Sequence, residues 1–459
     1  MPIFKFKRDK NRFIFYIFGI RLVYNINPFK FLDKKFRKNK HFDCREFDMQ
    51  IAQISEQIFK NHEFTKNPIN NDRIGILATL FSDMGGHTEC VVKLAEMLSE
   101  QYEVCTFLSQ KNIAYEWAKN KMPLLEKYSK VDGLDCGEKK DLIELFDKIN
   151  QFSPRVLFVY MHMNDSFDAG ALYLLHKYTD IKIIYCNHGS HCPALGMSFA
   201  DAIGNTSDST FYVNKEYRGF DKNVYFNLMD DKKENIVDIS EEEKLSIRKG
   251  LGIKEGNYFT LSGATSYKFF ENGTSPYFEM IKRLLAKEPN LQHVVITKFS
   301  DEEKQVFEKI FENYPQKNRL KVIDFTPEYS KFFQSCDIFI DSFPMASAFA
   351  HVEMMKHKGV SVVKINTENA LFSFQEYFPK DYKYMFAEVF EMEDGIIELL
   401  HNPEERKIVG EELYKHYLDN FELSKAKNEF INIIENSEHI EDLYVHLDEN
   451  LKFNVEIEK

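Results

Sequence analysis

The chain has one tryptophan in 459 residues, seven cysteines with no CxxC pair, and no apolar run long enough to span a bilayer. Each absence excludes something. An odd cysteine count without paired or zinc-type spacing argues against a disulfide framework and fits reduced thiols in a cytoplasm. The longest apolar run near the start, Phe13–Ile20, has eight residues before Arg21, too short to span a membrane. No small-residue cleavage site follows it, so it is not read as a signal peptide. GxGxxG is missing, which removes the dinucleotide fingerprint, and no loop ends in the GK[ST] of a Walker A motif. No repeat of solenoid period is present.

What remains is an ordinary globular composition, 44% hydrophobic and 29% charged, with enough length for two or three domains. The 43 phenylalanines read as codon bias in an AT-rich genome rather than as a binding surface. Net charge is -12 but uneven: residues 1–40 hold twelve Lys or Arg against two Asp, so that arm is +10 and the remainder -22. An acidic body repels a polyanion, so nucleic acid is not expected as a partner. The arm alone suits an anionic membrane surface; a solvated extension or a brace on the fold is the alternative.

Periodicity divides the chain into four parts. Residues 1–70 form a basic accessory region, with an alternating stretch at Phe13–Tyr24, helical spacing over Met49–Phe59, and a linker at Asn67-Pro68 and Asn70-Asn71-Asp72. Residues 71–235 read as a first Rossmann-like half. Strands are expected at Arg73–Leu80, Tyr102–Leu108, Val156–Tyr160, Ile181–Cys186 and Thr210–Val213, and a helix at Glu89–Glu100. Charge-dense Asp230–Lys244 joins it to a second half, 236–425. Here the expected strands are Tyr258–Ser262, His293–Thr297, Leu320–Ile323, Asp337–Ile340 and Val360–Val363, and the expected helices Pro276–Ala286 and Glu404–Phe421. A C-terminal helix and acidic tail, 426–459, close the chain. Alternating strands and helices predict an α/β protein with two doubly wound parallel sheets facing a cleft.

Chemistry is sought at the strand C-termini, where such folds bind ligands. The first loop, Asp83–Thr88, has Gly85 and Gly86 for close backbone approach and His87 at a helix start. The second, Asn187–His191, carries His188 and His191; His188 suits a general base or charge stabiliser. A metal would need a third ligand at a recognised spacing, and none stands there. In the third, Ser262–Lys268, small residues followed by Lys268 suit a diphosphate. The fourth runs from Asp337 to Val363. Its helix N-terminus suits a phosphate near Ser347, and Glu353, one turn in, suits a ribose diol. For each loop a plain solvated turn is the competing reading.

Together these loops resemble the GT-B class of nucleotide-sugar glycosyltransferases. Gly85-Gly86-His87-Thr88 looks like the acceptor-side glycine loop. Asn187-His188-Gly189-Ser190-His191, with Leu195-Gly196 and Ala200-Asp201, looks like a histidine segment of bacterial members. Thr265–Lys268, Asp337–Val363 and Asn402-Pro403-Glu404-Glu405-Arg406 are similar to the diphosphate position, the donor site and the start of the late helix. Two departures stand out. Glu353 to Gly359 is one residue longer than the usual pattern, and Met345 stands where many retaining members have a glutamate.

The resemblance implies a transferase acting in bacterial surface-polysaccharide synthesis. Its co-substrate would be a nucleoside-diphosphate sugar, bound by Thr265, Lys268, Ser347 and Glu353. The acceptor, a glycan or lipid-linked glycan, would lie near Gly85, Gly86 and His191, with His188 or His87 in catalysis. No other cofactor and no essential metal are implied. A nucleotide-sugar epimerase of the same fold, or a non-catalytic partner of a transferase complex, are the alternatives.

Overall fold

The computed structural model describes residues 27–79, 81–83, 86–135, 141–227, 230, 236–326, 328–448 and 450–455, and the backbone alone at 4–9, 12–17 and 20–25. The chain opens with an antiparallel meander, β1 (Phe4–Asp9), β2 (Arg12–Ile17) and β3 (Ile20–Asn25). Two helices follow, α1 (Pro28–Phe36) and α2 (Arg45–Phe59). The Asn27 side chain accepts the Phe29 N–H at 3.0 Å and proline opens α1, both favoured at a helix start. Phe29, Leu32, Phe36, Ile51 and Phe59 are buried in the core of the first half, so these helices are part of its packing.

The first half continues as β4 (Asn70–Ala78), α3 (Gly86–Leu98), β5 (Glu103–Leu108), α4 (Lys111–Trp117), α5 (Lys121–Tyr128), β6 (Lys130–Gly133), α6 (Asp141–Phe152), β7 (Pro154–Tyr160), α7 (Ser166–Tyr178), β8 (Lys182–Cys186), β9 (Ala202–Asn205), α8 (Asp208–Glu216) and β10 (Asn223–Tyr225). Among the described residues its parallel sheet has seven strands in the order β10-β9-β8-β7-β4-β5-β6. The second half runs α9 (Glu241–Gly250), β11 (Tyr258–Gly263), α10 (Pro276–Lys287), β12 (Leu291–Ile296), α11 (Asp301–Ile310), β13 (Leu320–Ile323), α12 (Tyr329–Ser335), β14 (Ile338–Ile340), α13 (Phe349–Lys356), β15 (Ser361–Lys364), β16 (Met385–Phe386), α14 (Val389–His401) and α15 (Pro403–Asn420). Its six described strands are ordered β13-β12-β11-β14-β15-β16, all parallel. Both orders reverse beside the first strand of the half. The switch points therefore lie between β4 and β7 and between β11 and β14.

The halves are tied in several places. The last helix, α16 (Leu423–Glu435), returns to the first sheet, where Phe430 meets Phe158 and Phe226 at ring distances of 5.4 and 4.8 Å. Val445 N–H donates to Asn223 and Ala370 N–H to Asn454, so the tail touches both halves. The N-terminus of α8 meets Glu376 of the second half, which accepts the Ser209 N–H at 3.1 Å.

Two sequence expectations are corrected. Thr210–Val213 is not a strand but the middle of α8. Its β-branched and aromatic residues favour a strand only weakly. Glu376 satisfies an N-terminal helix donor that local sequence cannot supply. The linker expected at Asn70–Asp72 is instead the start of β4, where Asn70 N–H donates to Ser153. Its polar residues form the more exposed end of a strand buried from Ile74 onward.

Candidate functional site

All four loops reach the C-terminal edges of the sheets, and those after β4, β11 and β14 flank the switch points. Gly85 lies outside the described residues. Gly86 opens α3, and a Cβ there would sit 3.2 Å from the Phe349 ring at the start of α13. The glycine loop of one half thus lies directly against α13 of the other. A side chain at this position would have to displace the phenyl ring.

The structure brings His87 and His188 together, their rings stacked 5.5 Å apart at 21°. Tyr160, at the end of β7, stacks on His188 at 6.3 Å. His188 Nδ1 lies 3.2 Å from the Cys186 carbonyl. A carbonyl only accepts, so Nδ1 carries the proton and Nε2 is left as the basic nitrogen. Burial, then the neighbouring His87, push the His188 pKa down to about 4, although the residue stays accessible from the cleft. It is therefore neutral at physiological pH, as a general base must be.

Lys268 sits in a short helical turn, Ser266–Phe269, begun by exposed Thr265. Its ammonium donates to the Ala346 carbonyl at 2.8 Å. Burial lowers its pKa, opposed by Asp341. His191 joins this region rather than the glycine loop. Its ring meets Phe372 of the second half at 6.2 Å. Burial, with Lys268 and Arg218 nearby, lowers its pKa to about 4. His191 and Lys268 thus face one another across the two halves.

Ser347 and Glu353 are placed differently from the sequence expectation. Asp341, at the end of β14, accepts both the N–H and the hydroxyl of Ser347, at 3.1 and 3.2 Å, and pairs with His351 at 3.1 Å. The Ser347 amide is therefore spent inside its own loop. Glu353 lies in the second turn of α13, buried, 2.6 Å from Lys356 and 3.3 Å from His357. The extra residue before Gly359 is absorbed at the helix end, where Lys358 adopts φ 57°. The carboxylate expected to hold a ribose is instead part of an internal ion chain. That chain continues from Lys356 to Asp230 at 3.3 Å and on to Lys93 of α3 at 2.9 Å.

Sequence reasoning missed several residues that build this site: Asp341 and His351, the Lys93–Asp230–Lys356 chain, and Arg218. No spacing rule marks the Asp341 loop closure, and the partners that join Asp230 to Lys93 and Lys356, and Arg218 to the histidine loop, are distant in sequence. Among the described residues no group of three or more His, Cys, Asp or Glu is arranged to hold a metal ion. No helix among them is long and apolar enough to cross a membrane.

Comparison with known proteins places the fold. No protein-family model matches the chain, and no curated protein is similar to it in sequence. Solved structures are similar. A glycosyltransferase from Rickettsia africae ESF-5 has a TM-score of 0.62 at 10% identity, covering 80% of this chain and 98% of that one. Anabaena Alr3699/HepE, in complex with UDP and glucose, has a TM-score of 0.62 at 14% identity, covering 78% and 99%. An O-GlcNAc transferase mutant from Thermobaculum terrenum has 0.57 at 11% identity, covering 90% and 77%. The chain has the GT-B fold, two parallel α/β sheets flanked by helices.

Proposed function

We propose that the protein is a glycosyltransferase using a nucleoside-diphosphate sugar, with the second half (236–425) holding the donor and the first (71–235) the acceptor. The observation that carries this reading is the pairing of chemistries across the cleft. A neutral imidazole, His188, with a basic Nε2 comes from one half, and a half-buried ammonium, Lys268, donating to the Ala346 carbonyl, from the other. The first suits removal of an acceptor hydroxyl proton. The second suits the negative charge that grows on a departing nucleoside diphosphate. Anabaena HepE binds UDP and UDP-glucose, which favours a UDP-sugar here. We place Lys268 and Thr265 at the diphosphate, with His191 beside them, and Gly86 and His87 toward the acceptor. No metal is required, because Lys268 supplies the charge.

A thermal-shift series with UDP, GDP, CMP and their sugars tests the donor site. One nucleotide is expected to raise the melting temperature with dose, by about 2.7 kcal/mol of stability at a hundredfold excess over Kd. If none does, the reading fails and a non-catalytic partner of a transferase is favoured, a role to which the ion-paired Glu353 already points. Transfer that collapses with a chelator would overturn the metal-free assignment.

The acceptor in this reading is a growing surface glycan or a lipid-linked glycan, with the protein on the inner membrane face. The support is the exposed basic surface of Lys30, Lys34, Arg37 and Lys38 around α1. Removing residues 1–40 would also remove buried Phe29, Leu32 and Phe36, so charge substitution is the cleaner test. Changing these four residues to glutamine should lower binding to anionic vesicles more than tenfold, at about 1 kcal/mol per charge. Unchanged binding would overturn the membrane assignment.

A further inference from the structure

Arg218 is the largest fully buried side chain among the described residues, 1% exposed. No carboxylate pairs with it among the described residues. Its guanidinium lies 5.4 Å from the Phe42 ring. Burial lowers its pKa to about 10, and its Nε–H has no acceptor. A buried cation with no counter-charge and an unfilled donor is a costly way to occupy core volume. Its bonds show what it does. Nη2 donates to the carbonyls of Gly189 at 3.2 Å, Ser190 at 3.1 Å and Cys192 at 2.5 Å. Those three residues are the backbone of the loop that carries His188 and His191.

The other side of the loop is tied to the same group. Nη1 donates to Asn214 Oδ1 at 2.9 Å. Asn214 Nδ2 donates to Asn205 Oδ1 at 3.0 Å and to Asn223 Oδ1 at 2.8 Å. Asn205 Oδ1 also accepts from Asn187 Nδ2, at 2.8 Å. Asn187 immediately precedes His188, and Gly189 immediately follows it. One buried hydrogen-bond network, running from α8 and the turn after it through β9, therefore brackets His188 on both sides. Such a network, once satisfied, fixes geometry rather than adding much net stability.

We infer that Arg218 is a positioning residue for sugar transfer, clamping the 187–192 loop so that His188 keeps its place against His87 and Tyr160 and His191 keeps its place beside Lys268. Lysine cannot do this, because its single ammonium lacks the planar fork that reaches three carbonyls and an amide oxygen together. The inference rests on the transferase reading for its catalytic consequence but not for its structural one.

The test uses Arg218→Lys in the full chain, with Asn214→Ala as a second variant that removes the amide acceptor of Nη1, and its link to Asn205, while keeping the arginine. Two readouts are taken on folded protein. The imidazole titration of His188, followed by NMR, should move from about 4 in the wild type toward the ordinary value of about 6.5 as the ring leaves its packed place. In parallel, kcat should fall about 100-fold, the usual cost of a small misplacement of a reacting group, with the donor KM little changed. An unshifted His188 titration with unchanged kcat in both variants would overturn the inference and leave Arg218 as core filling. Should the wild type transfer no sugar at all, the transferase reading fails by itself, and the NMR arm still decides whether Arg218 holds the loop. If Arg218→Lys does not fold, Asn214→Ala carries both readouts.

Discussion

Replacing Lys268 with alanine is expected to lower kcat/KM for a nucleotide-sugar donor by about 100- to 1000-fold, the usual cost of losing one preorganised donor to a developing negative charge. The size of the effect follows from where the ammonium sits. It comes from a turn after β11 and donates only to the Ala346 carbonyl at 2.8 Å among the described residues. A diphosphate oxygen is a stronger acceptor than that carbonyl. The same substitution should cost little stability, since no ion pair is broken. Steady-state kinetics with a matched donor, read beside a melting curve, separates the two. An activity loss below tenfold would place the diphosphate elsewhere. His191 offers an internal comparison: it lies near Lys268, so His191→Gln should change donor affinity more than it changes the acceptor dependence.

The second large effect concerns the ion chain between the halves. Asp230→Ala should destabilise the protein by about 1.5–3 kcal/mol, because Lys93 and Lys356 lose the buried carboxylate they share and keep only Glu89 and Glu353 beside them. Lys93 lies on α3 and Lys356 on α13, at 2.9 and 3.3 Å from Asp230, so the loss falls on the junction of the two halves. Glu353, at the end of the same chain, adds a pH dependence. Burial alone would raise its pKa, but the bond with His357 and the charge of Lys356 outweigh it and bring it down to about 2. A carboxylate whose pKa is lower in the folded state stabilises the fold above its unfolded value and loses that contribution as pH falls. Relative to an ordinary glutamate carboxyl at 4.5 the contribution is about 3 kcal/mol at neutral pH, fully present above about pH 4.5 and lost as pH drops through about 2. Urea unfolding at pH 6 and pH 3 measures it. Glu353→Gln should flatten that difference, and an unchanged acid profile in the variant would show that Glu353 is not the group responsible.

The ion chain also explains why the second half is only partly legible in the sequence. From sequence, Glu353 stands one turn into a helix behind a loop of small residues, where a ribose carboxylate is expected. Lys356 and His357 are visible three and four residues on, at helical spacing. Asp230 and Lys93 are more than a hundred residues away, and they turn a local pair into a buried network. Ser347 is similar: Asp341, six residues earlier, takes its amide by a loop closure that no spacing rule announces. His87 and His188 fared better. Each lies directly after a strand or at a helix start, positions that the βα pattern sends to the same edge of a sheet.

What the sequence by itself determined is the plan: alternating apolar strands and amphipathic helices, two successive halves, and the strand ends at which His87, His188, Thr265 and Lys268 stand. Those features depend on periodicity and local chain geometry, which a linear reading can count. Tertiary structure alone decided which polar groups remain available. Asp341 consumes Ser347, Lys356 and His357 consume Glu353, Arg218 fastens the histidine loop, and Glu376 turns a strand-like segment into α8. Each of these is a buried polar group meeting its hydrogen-bond or charge requirement from another part of the chain. Satisfaction of that kind is a property of packing and not of sequence neighbourhood.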